Sequence, residues 1–370
     1  MTPLHVFATG DAVGGVWTYA LELAQGAMAR GIVTTLAILG PAPSRAQLAE
    51  AKDIPGLRLI ETGLPLDWTA DNPRAMTQAA LALGDLAQQG GADLIHLNSP
   101  AFAAGRPFRK PVVGALHSCL STWWQAVRTG PLPEDFAWRT RLLRDGLGAC
   151  DAVVTPSAAY ADAVARTYNL RRPFVVRNGR SAEAAPTVPR RRQCVVVTAG
   201  RLWDPAKNAA TLDAAAARLH APLLAIGPLI GPNGDRVEFR HVRHVGALGS
   251  SELREVFGSV AIFASAARYE PFGLAVLEAA QAGCALVLSD IPTFRELWEG
   301  AALFAAAEDP TAFAAAIQHL LDYPAECERL GEAARQRAGT FTTEAMSAGV
   351  LEIYRRLAPK FALHAEGAAA

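Results

Sequence analysis

The stretch "VAIFASAARYEPFGLAVLEAAQAGCALVLSD", residues 260–290, decides how the rest of the chain is read. Val260 to Ser265 is a short run, apolar on both faces, as a buried parallel strand must be. A loop holding Pro271 follows, then a helical stretch over 273–283 and a second apolar run at 285–289. Strand, crossover helix and strand in so few residues make a βαβ unit, and βαβ units build parallel sheets. Two glutamates stand out. Glu270 falls in the loop at the carboxyl end of the strand. Glu278 falls inside the helix, among Leu, Ala and Val.

Working outward, the same alternation fills both halves. In the first half, strands are predicted at 4–9, 33–39, 57–61, 93–98, 111–116, 152–156 and 174–178, and helices at 15–30, 73–89, 135–147 and 158–168. Between Asn178 and Gln193 the pattern breaks in "NGRSAEAAPTVPRRRQ", a linker composition whose run Arg190–Arg192 reads as solvated. Strands resume at 194–199, 222–227, 239–245, 260–265, 285–289 and 302–304, with helices at 209–219, 251–257, 273–283, 309–322, 325–338 and 342–357. The expected organisation is an α/β domain over 1–178, a linker over 179–193 and a second α/β domain over 194–345. A C-terminal helix over 346–370 would follow, with a return to the first domain left open and the tail "HAEGAAA" frayed. Each domain is expected to be doubly wound, and two such domains facing one another would form a cleft. Ligands in such sheets bind beyond the carboxyl ends of the strands, so the chemistry belongs in the loops that follow strands.

Composition sets the outer limits. A chain of 370 residues with half its residues hydrophobic can build two cores. Lys plus Arg equals Asp plus Glu at 35 each, so nothing points to nucleic acid and any anion site must be local. The cysteines (Cys119, Cys150, Cys194, Cys284 and Cys327) are scattered and form no C-x-x-C pair, and they read as small buried hydrophobes in a reducing compartment. The start "MTPLHVFATGDAVGG" lacks a basic n-region, and no apolar run reaches the roughly 18 residues that cross a bilayer. A cytoplasmic protein is expected, with peripheral membrane contact left open.

Four loops could carry chemistry besides the opening one. In "TGDAVGGVWTY", Gly14 and Gly15 let the backbone approach a ligand at a helix start, where free amides favour an anion. The stretch is not G-x-G-x-x-G, which disfavours a nicotinamide cofactor. In "TAGRLWDPAKNAATL", Gly200 ends a strand, Arg201 and Lys207 flank a helix start, and Asn208 is the candidate N-cap. A cation there opposes the helix dipole, so two of them ask for an anion, and a diphosphate fits; the alternative is that both swing into solvent. His117 follows the strand 111–116 at its carboxyl end, and Trp123 and Trp124 come after it, for stacking or for core packing. In "HVGALGSSEL", the stretch from Gly246 through Leu248 precedes a helix capped by Ser250 or Ser251 and could face a nucleobase. In the opening stretch, roughly 7–9 Å of helix separates Glu270 from Glu278, a span one nucleotide-sugar-sized ligand covers. Glu270 would meet hydroxyls near the amides of Phe272, Gly273 and Leu274. A buried, unpaired Glu278 is costly and would need a second pair of hydroxyls, unless it is simply solvated.

Together, "GRLWDPAKN" (200–208), "VGALGSSEL" (245–253), "RYEPFGLAVLEAAQAGCALVLSD" (268–290) and "IPTFREL" (291–297) resemble the family 4 retaining glycosyltransferases of GT-B fold. "GGVWTYALELA" (14–24) and "VVGALH" (112–117) support the likeness in the first half. The resemblance implies two facing Rossmann-like domains and transfer from a nucleotide diphosphate sugar to a hydroxyl acceptor, with no cofactor and no metal. It implies that Arg201 and Lys207 hold the donor diphosphate, that Glu270 grips the donor sugar and that Glu278 binds the ribose hydroxyls. His117 would sit by the donor sugar, and Gly14 and Gly15 near the phosphates and acceptor. The chain departs from the pattern at "NGRS" (178–181), where many relatives have Asn-Gly-Val then Asp, and at "GCALVLSD" (283–290), which lacks a frequent Pro. It contains no D-x-D, which fits cationic side chains standing in for a metal on the diphosphate. Two rivals share the fold: a nucleotide-sugar epimerase, and a sugar-nucleotide-binding protein without catalysis. A retaining glycosidase needs carboxyls about 5–5.5 Å apart, closer than Glu270 and Glu278 are expected to lie, and leaves Arg201 and Lys207 without a role.

Overall fold

The computed structural model describes residues 3–181, 192–231 and 234–360. Most of the expected linker and the C-terminal tail lie outside the described residues. The elements run β1 (His5–Asp11), α1 (Gly15–Met28), β2 (Val33–Leu39), α2 (Arg45–Lys52), β3 (Leu57–Glu61), α3 (Pro73–Gln89) and β4 (Leu94–Leu97). After a short 3-10 turn come β5 (Val112–Ala115), α4 (Leu120–Val127), α5 (Glu134–Ala149), β6 (Ala152–Thr155), α6 (Ala158–Tyr168) and β7 (Phe174–Val175). Then follow β8 (Gln193–Ala199), α7 (Ala209–Ala216), β9 (Leu223–Ile226), β10 (Arg243–Gly246), α8 (Ser250–Ser259), β11 (Val260–Ser265) and α9 (Leu274–Gln281). The chain closes with β12 (Ala285–Ser289), α10 (Pro292–Trp298), β13 (Ala302–Ala305), α11 (Pro310–Asp322), α12 (Pro324–Ala338) and α13 (Thr343–Leu357).

Two compact units result. One takes the described residues of 1–124, 129–179 and 343–370, the other those of 125–128 and 180–342. Helix α13 begins at Thr343, within a residue of the helix expected over 342–357, and it belongs to the first unit. It lies against α1: Gly26 leaves room for Ser347, whose Oγ donates to the Thr343 carbonyl at 2.6 Å. The Thr343 hydroxyl donates to the buried Glu22 carboxylate. Met346, Val350, Leu351 and Tyr354 then complete an apolar core with Leu4, Val6, Tyr19 and Leu23.

The first sheet has strand order β3-β2-β1-β4-β5-β6-β7 and the second β10-β9-β8-β11-β12-β13. Every strand pair in both is parallel. Both are therefore the expected doubly wound α/β sheets. The order reverses between β1 and β4 in the first and between β8 and β11 in the second. The loops leaving the carboxyl ends of those four strands border the crevices where such sheets take ligands.

Some sequence expectations need correction. The strand expected over 239–245 is confined to Arg243–Gly246. The amides of Arg240, His241 and Val242 instead donate to the Asp213 carboxylate at 2.9–3.1 Å, so they cannot join a ladder. Helices α2, α4 and α10 were not expected from periodicity. For α2 the signal was present as a capping box: Ser44 accepts from the Gln47 amide, and the Gln47 side chain accepts from the Ser44 amide at 2.9 Å. Arg192 is not part of a solvated run. It donates to the Val260 carbonyl at 2.9 Å and to the Ala282 carbonyl, tying the entry of β8 to the sheet. Cys119, Cys284 and Cys327 are buried as expected, whereas Cys194 is exposed.

Candidate functional site

The polar groups single themselves out by position, at the carboxyl ends of strands beside each reversal of strand order. They are described unit by unit.

In the second unit, β8 is followed by Gly200 and Arg201. Gly200 donates to the Ile226 carbonyl at 3.0 Å. Its own carbonyl lies against Gly227, where a Cβ would stand 1.9 Å from that oxygen, at a φ of +135°. Only glycine fits there. Arg201 is half exposed and donates to Asp204 at 3.1 Å. The other Asp204 oxygen accepts from the Ala206 amide at 2.9 Å, which shapes a 3-10 turn over Pro205–Lys207. The Lys207 stem passes beside Gly200, with Cε 3.7 Å from where a Cβ would be.

Lys207 Nζ donates to Glu270 Oε2, and both side chains are largely buried. The loop after β8 is thus joined to the loop after β11. Two further bonds reinforce the join: the Arg268 amide donates to the Ala206 carbonyl at 2.8 Å, and Asn208 Nδ2 donates to the Ala266 carbonyl at 3.1 Å. Asn208 holds the N-cap position of α7 but does not cap it. Its backbone is left-handed, at φ +52°, and its side chain also reaches the Ala307 carbonyl at 2.6 Å. Asn208 is therefore a clasp between loops, and the expectation of a capping side chain is corrected.

Sequence reasoning expected the two cations to require an outside anion. The structure supplies internal ones, Asp204 for Arg201 and Glu270 for Lys207. Glu278 likewise has a partner: Arg180 Nε lies 3.0 Å from its carboxylate, and both side chains are mostly buried. Arg180 is anchored by its backbone, its amide donating to the Phe341 carbonyl at 3.1 Å and its carbonyl accepting from Gln281 at 3.3 Å. Arg180 went unmarked as a site residue. The only signal was that "NGRS" departs from the family pattern.

Gly273, at φ +95°, turns the chain into α9, and a Cβ there would press on Glu270 Cγ at 3.3 Å and on Phe294 at 3.3 Å. Phe272 is buried against Phe341, so only its backbone could meet a ligand. Leu274 is partly buried at the first position of α9. Gly246, at φ +94°, accepts from the Gly227 amide at 2.8 Å. Leu248 packs on the core. Helix α8 starts after Gly249, not after Ser250 or Ser251, and Glu252 accepts from the Gly249 amide at 2.9 Å.

In the first unit, Gly14 and Gly15 are exposed at the start of α1. The strand before them runs to Asp11, past the expected end at Thr9, and Asp11 accepts from the Val13 amide at 2.9 Å. His117, after β5, bonds through Nε2 to Asn98 Oδ1 at 2.8 Å, and the Tyr19 ring meets it edge-on with centroids 4.4 Å apart. Asn98, after β4, is fixed by Thr9, donating from Nδ2 to the Thr9 carbonyl at 2.6 Å. Behind them His96 is wholly buried between two phenols, Tyr354 at 2.7 Å and Tyr19 at 3.4 Å. Burial holds the His117 imidazole down to about 4 and His96 to about 3, so both are neutral at pH 7. Trp124 packs edge-on against Phe136, both of them partly exposed and outside the apolar cores.

Two parallel doubly wound sheets, each bearing polar groups beside its reversal of strand order, are the architecture of the GT-B fold. Residues 13–183 match the model described as Glycosyltransferase Family 4, and residues 193–323 match that described as Glycosyl transferases group 1. The chain belongs to the family 4 glycosyltransferases of group 1, and its activity is glycosyl transfer. It is similar to glycogen synthase from Mycobacterium tuberculosis, with 27% identity over 314 residues, covering 78% of this chain and 75% of that protein. It is also similar to D-inositol 3-phosphate glycosyltransferase from Streptomyces scabiei, with 25% identity over 413 residues, covering 95% of this chain and 88% of that protein. Among solved structures, sucrose-phosphate synthase from Thermosynechococcus elongatus aligns with a TM-score of 0.76 at 20% identity, over 97% of this chain and 100% of that one. HepE from Anabaena in complex with UDP-glucose aligns with a TM-score of 0.76 at 18% identity, over 96% and 100%. No helix among the described residues is long and apolar enough to cross a membrane.

Proposed function

We propose that the chain moves a sugar from a nucleotide diphosphate sugar to a hydroxyl acceptor with retention of anomeric configuration, the donor being held by the second unit. The observation that carries this reading is the joined pair of loops after β8 and β11, where Lys207 meets Glu270, with Arg201 on the same loop as Lys207 and paired to Asp204. In this reading the diphosphate replaces or joins the carboxylates as counter-ion to Lys207 and Arg201. Negative charge grows on the leaving phosphate oxygen as its bond to C1 breaks, and the two cations stabilise it more strongly in the transition state than in the bound donor. That same oxygen accepts the proton of the incoming hydroxyl on the face it leaves, so no separate carboxylate base is needed. Glu270 and the amides of Phe272, Gly273 and Leu274 bind the sugar hydroxyls. Glu278 takes the ribose diol, each carboxylate oxygen accepting one O–H. His117, neutral at pH 7, is a hydrogen-bond partner for a sugar hydroxyl.

The test begins with thermal shifts against UDP, GDP and ADP sugars, with UDP-glucose first because the Anabaena neighbour is described in complex with it. Acceptor trials with the stabilising donor follow. Lys207→Ala and Glu270→Ala should each fold and lose about 10²–10³ in transfer rate, about 3–4 kcal/mol. Wild-type rates in both variants would remove the assigned site. Turnover of the donor without an acceptor would point to epimerase chemistry instead.

A further inference from the structure

We infer that Cys194 and Cys327 are a thiol pair that closes to a reversible disulfide when the chain meets hydrogen peroxide. The inference stands apart from the proposed function, since the pair sits at the opposite end of β8 from Arg201 and Lys207.

Three of the five cysteines converge on the first two residues of β11. Cys284 Sγ donates to the Phe257 carbonyl at 3.2 Å and lies 3.7 Å from that of Val260. Cys327 Sγ donates to the carbonyl of the next residue, Ala261, at 3.8 Å. Cys194 enters from the neighbouring strand. Gln193 of β8 is paired with Val260 of β11, and Val196 with Ile262, which sets Cys194 alongside Ala261.

Side-chain direction chooses between Cys284 and Cys327 as the partner. Successive residues of a strand face opposite sides of the sheet. Val195 and Val197 pack into the core that holds Cys284, and Val196 packs into the core on the other face, which holds Cys327. Cys194 shares the parity of Val196, so its thiol belongs to the Cys327 face. The slip in register between the strands is taken up in β11, where Ala261 and Ile262 both turn to that face, while β8 keeps its alternation.

The two thiols differ in access. Cys194 is exposed, whereas Cys327, in the first turn of α12, is 8% exposed. Burial pushes the Cys327 thiol up to about 11, with the Arg192 guanidinium pulling against the rise and Cys194 adding to it, so this thiol stays protonated at pH 7. Peroxide therefore meets Cys194 first. The Cys194 thiolate attacks a peroxide oxygen, the O–O bond breaks, and a sulfenic acid and hydroxide result. The Cys327 sulfur then attacks the Cys194 sulfur, the S–O bond breaks, and the Cys327 proton leaves with the oxygen as water. Both thiols are oxidised and the peroxide is reduced. The bridge joins the first strand of the second unit to α12.

The experiment treats the reduced full chain with hydrogen peroxide under native conditions, alkylates the remaining thiols in denaturant and digests with trypsin. Before alkylation the product should be lighter than the reduced chain by two hydrogens. It should then take up two fewer alkyl groups, recover them after dithiothreitol, and yield peptide 193–201 cross-linked to peptide 296–329. Cys194→Ser and Cys327→Ser should each abolish the cross-link, and Cys284→Ser should keep it. Because Cys194 is exposed, its serine variant tests the pairing even if Cys327→Ser fails to fold. The oxidised chain should melt above the reduced one, as expected of a long loop closed without distortion. No loss of thiols, a bridge to Cys284, Cys194 carried on to sulfinic acid, or a cross-link between two copies through Cys194 would each overturn the proposal.

Discussion

The two units share a fold but furnish the ends of their strands differently. In the first, an uncharged network runs from Thr9 through Asn98 to His117 beside the strand-order reversal, with His96 between two tyrosines behind, and Asp11 at the end of β1 accepts from a backbone amide. In the second they are ionised and paired, Arg201 with Asp204, Lys207 with Glu270 and Arg180 with Glu278. Neutral networks hold a side chain in one orientation, because each donor matches one acceptor. Ion pairs hold charge in reserve, because a carboxylate that satisfies a cation in the free protein can yield to, or share with, a phosphate. On the proposed reading, the first unit holds a group in one orientation and the second receives an anion.

Glycine replacements test that comparison most severely. Gly227→Ala puts a methyl 1.9 Å from the Gly200 carbonyl at a φ that alanine resists. It should cost about 2–5 kcal/mol in denaturant unfolding and abolish the donor-induced thermal shift, since it displaces the Arg201 and Lys207 loop. Gly26→Ala, whose Cβ would lie 2.4 Å from Ser347, should also destabilise, by about 1–3 kcal/mol, but keep the donor-induced shift. If both variants lose donor binding alike, the assignment of the donor to the second unit breaks.

A smaller effect is expected at Glu278. Glu278→Gln keeps size and one acceptor but loses charge, and it should raise the donor KM about tenfold, about 1.4 kcal/mol, with kcat nearly unchanged. Arg180→Leu removes the other half of the pair. If Glu278 serves only to neutralise Arg180, both variants will lower Tm and neither will move KM.

The smallest effect sharpens the neutral side. His96 and His117 are held below the ordinary histidine value of 6.5 in the folded chain, at about 3 and about 4. As pH falls below about 6.5 the unfolded chain takes up protons that the folded chain refuses, so stability is full above that pH and declines toward pH 4. Each histidine should contribute a Tm loss of roughly 2–4 °C per pH unit in that window. His96→Gln should start from a lower Tm at pH 7 but show the shallower acid slope; equal slopes would break the link. Carboxylates elsewhere titrate in both proteins and cancel in the difference.

Much of this was legible in the residues. Apolar runs such as "VVV" before Thr198 and "ALVLS" at 285–289 read as buried parallel strands, and the candidates Arg201, Lys207, Glu270 and His117 do lie after strands β8, β11 and β5. What stayed hidden were the partners. A sequence shows that Lys207 and Glu270 are charged, but their pairing depends on β8 and β11 being neighbours across the strand-order reversal. Asn98 was hidden for the same reason, since its meaning comes from Thr9 on β1 and His117 beyond β5. Segment 239–242 misled because its β-like residues give their amides to Asp213, a contact no local pattern encodes.

The placement of α13 has a consequence for biosynthesis. The helix that covers α1 and supplies Tyr354 to His96 is the last of the described elements, while its partners are among the first. During translation the N-terminal sheet must wait, with one flank bare, until some two hundred further residues have left the ribosome. A nascent chain stalled before Thr343 exposes Leu23, Ala27 and an unsatisfied imidazole at once, the kind of surface that chaperones recognise.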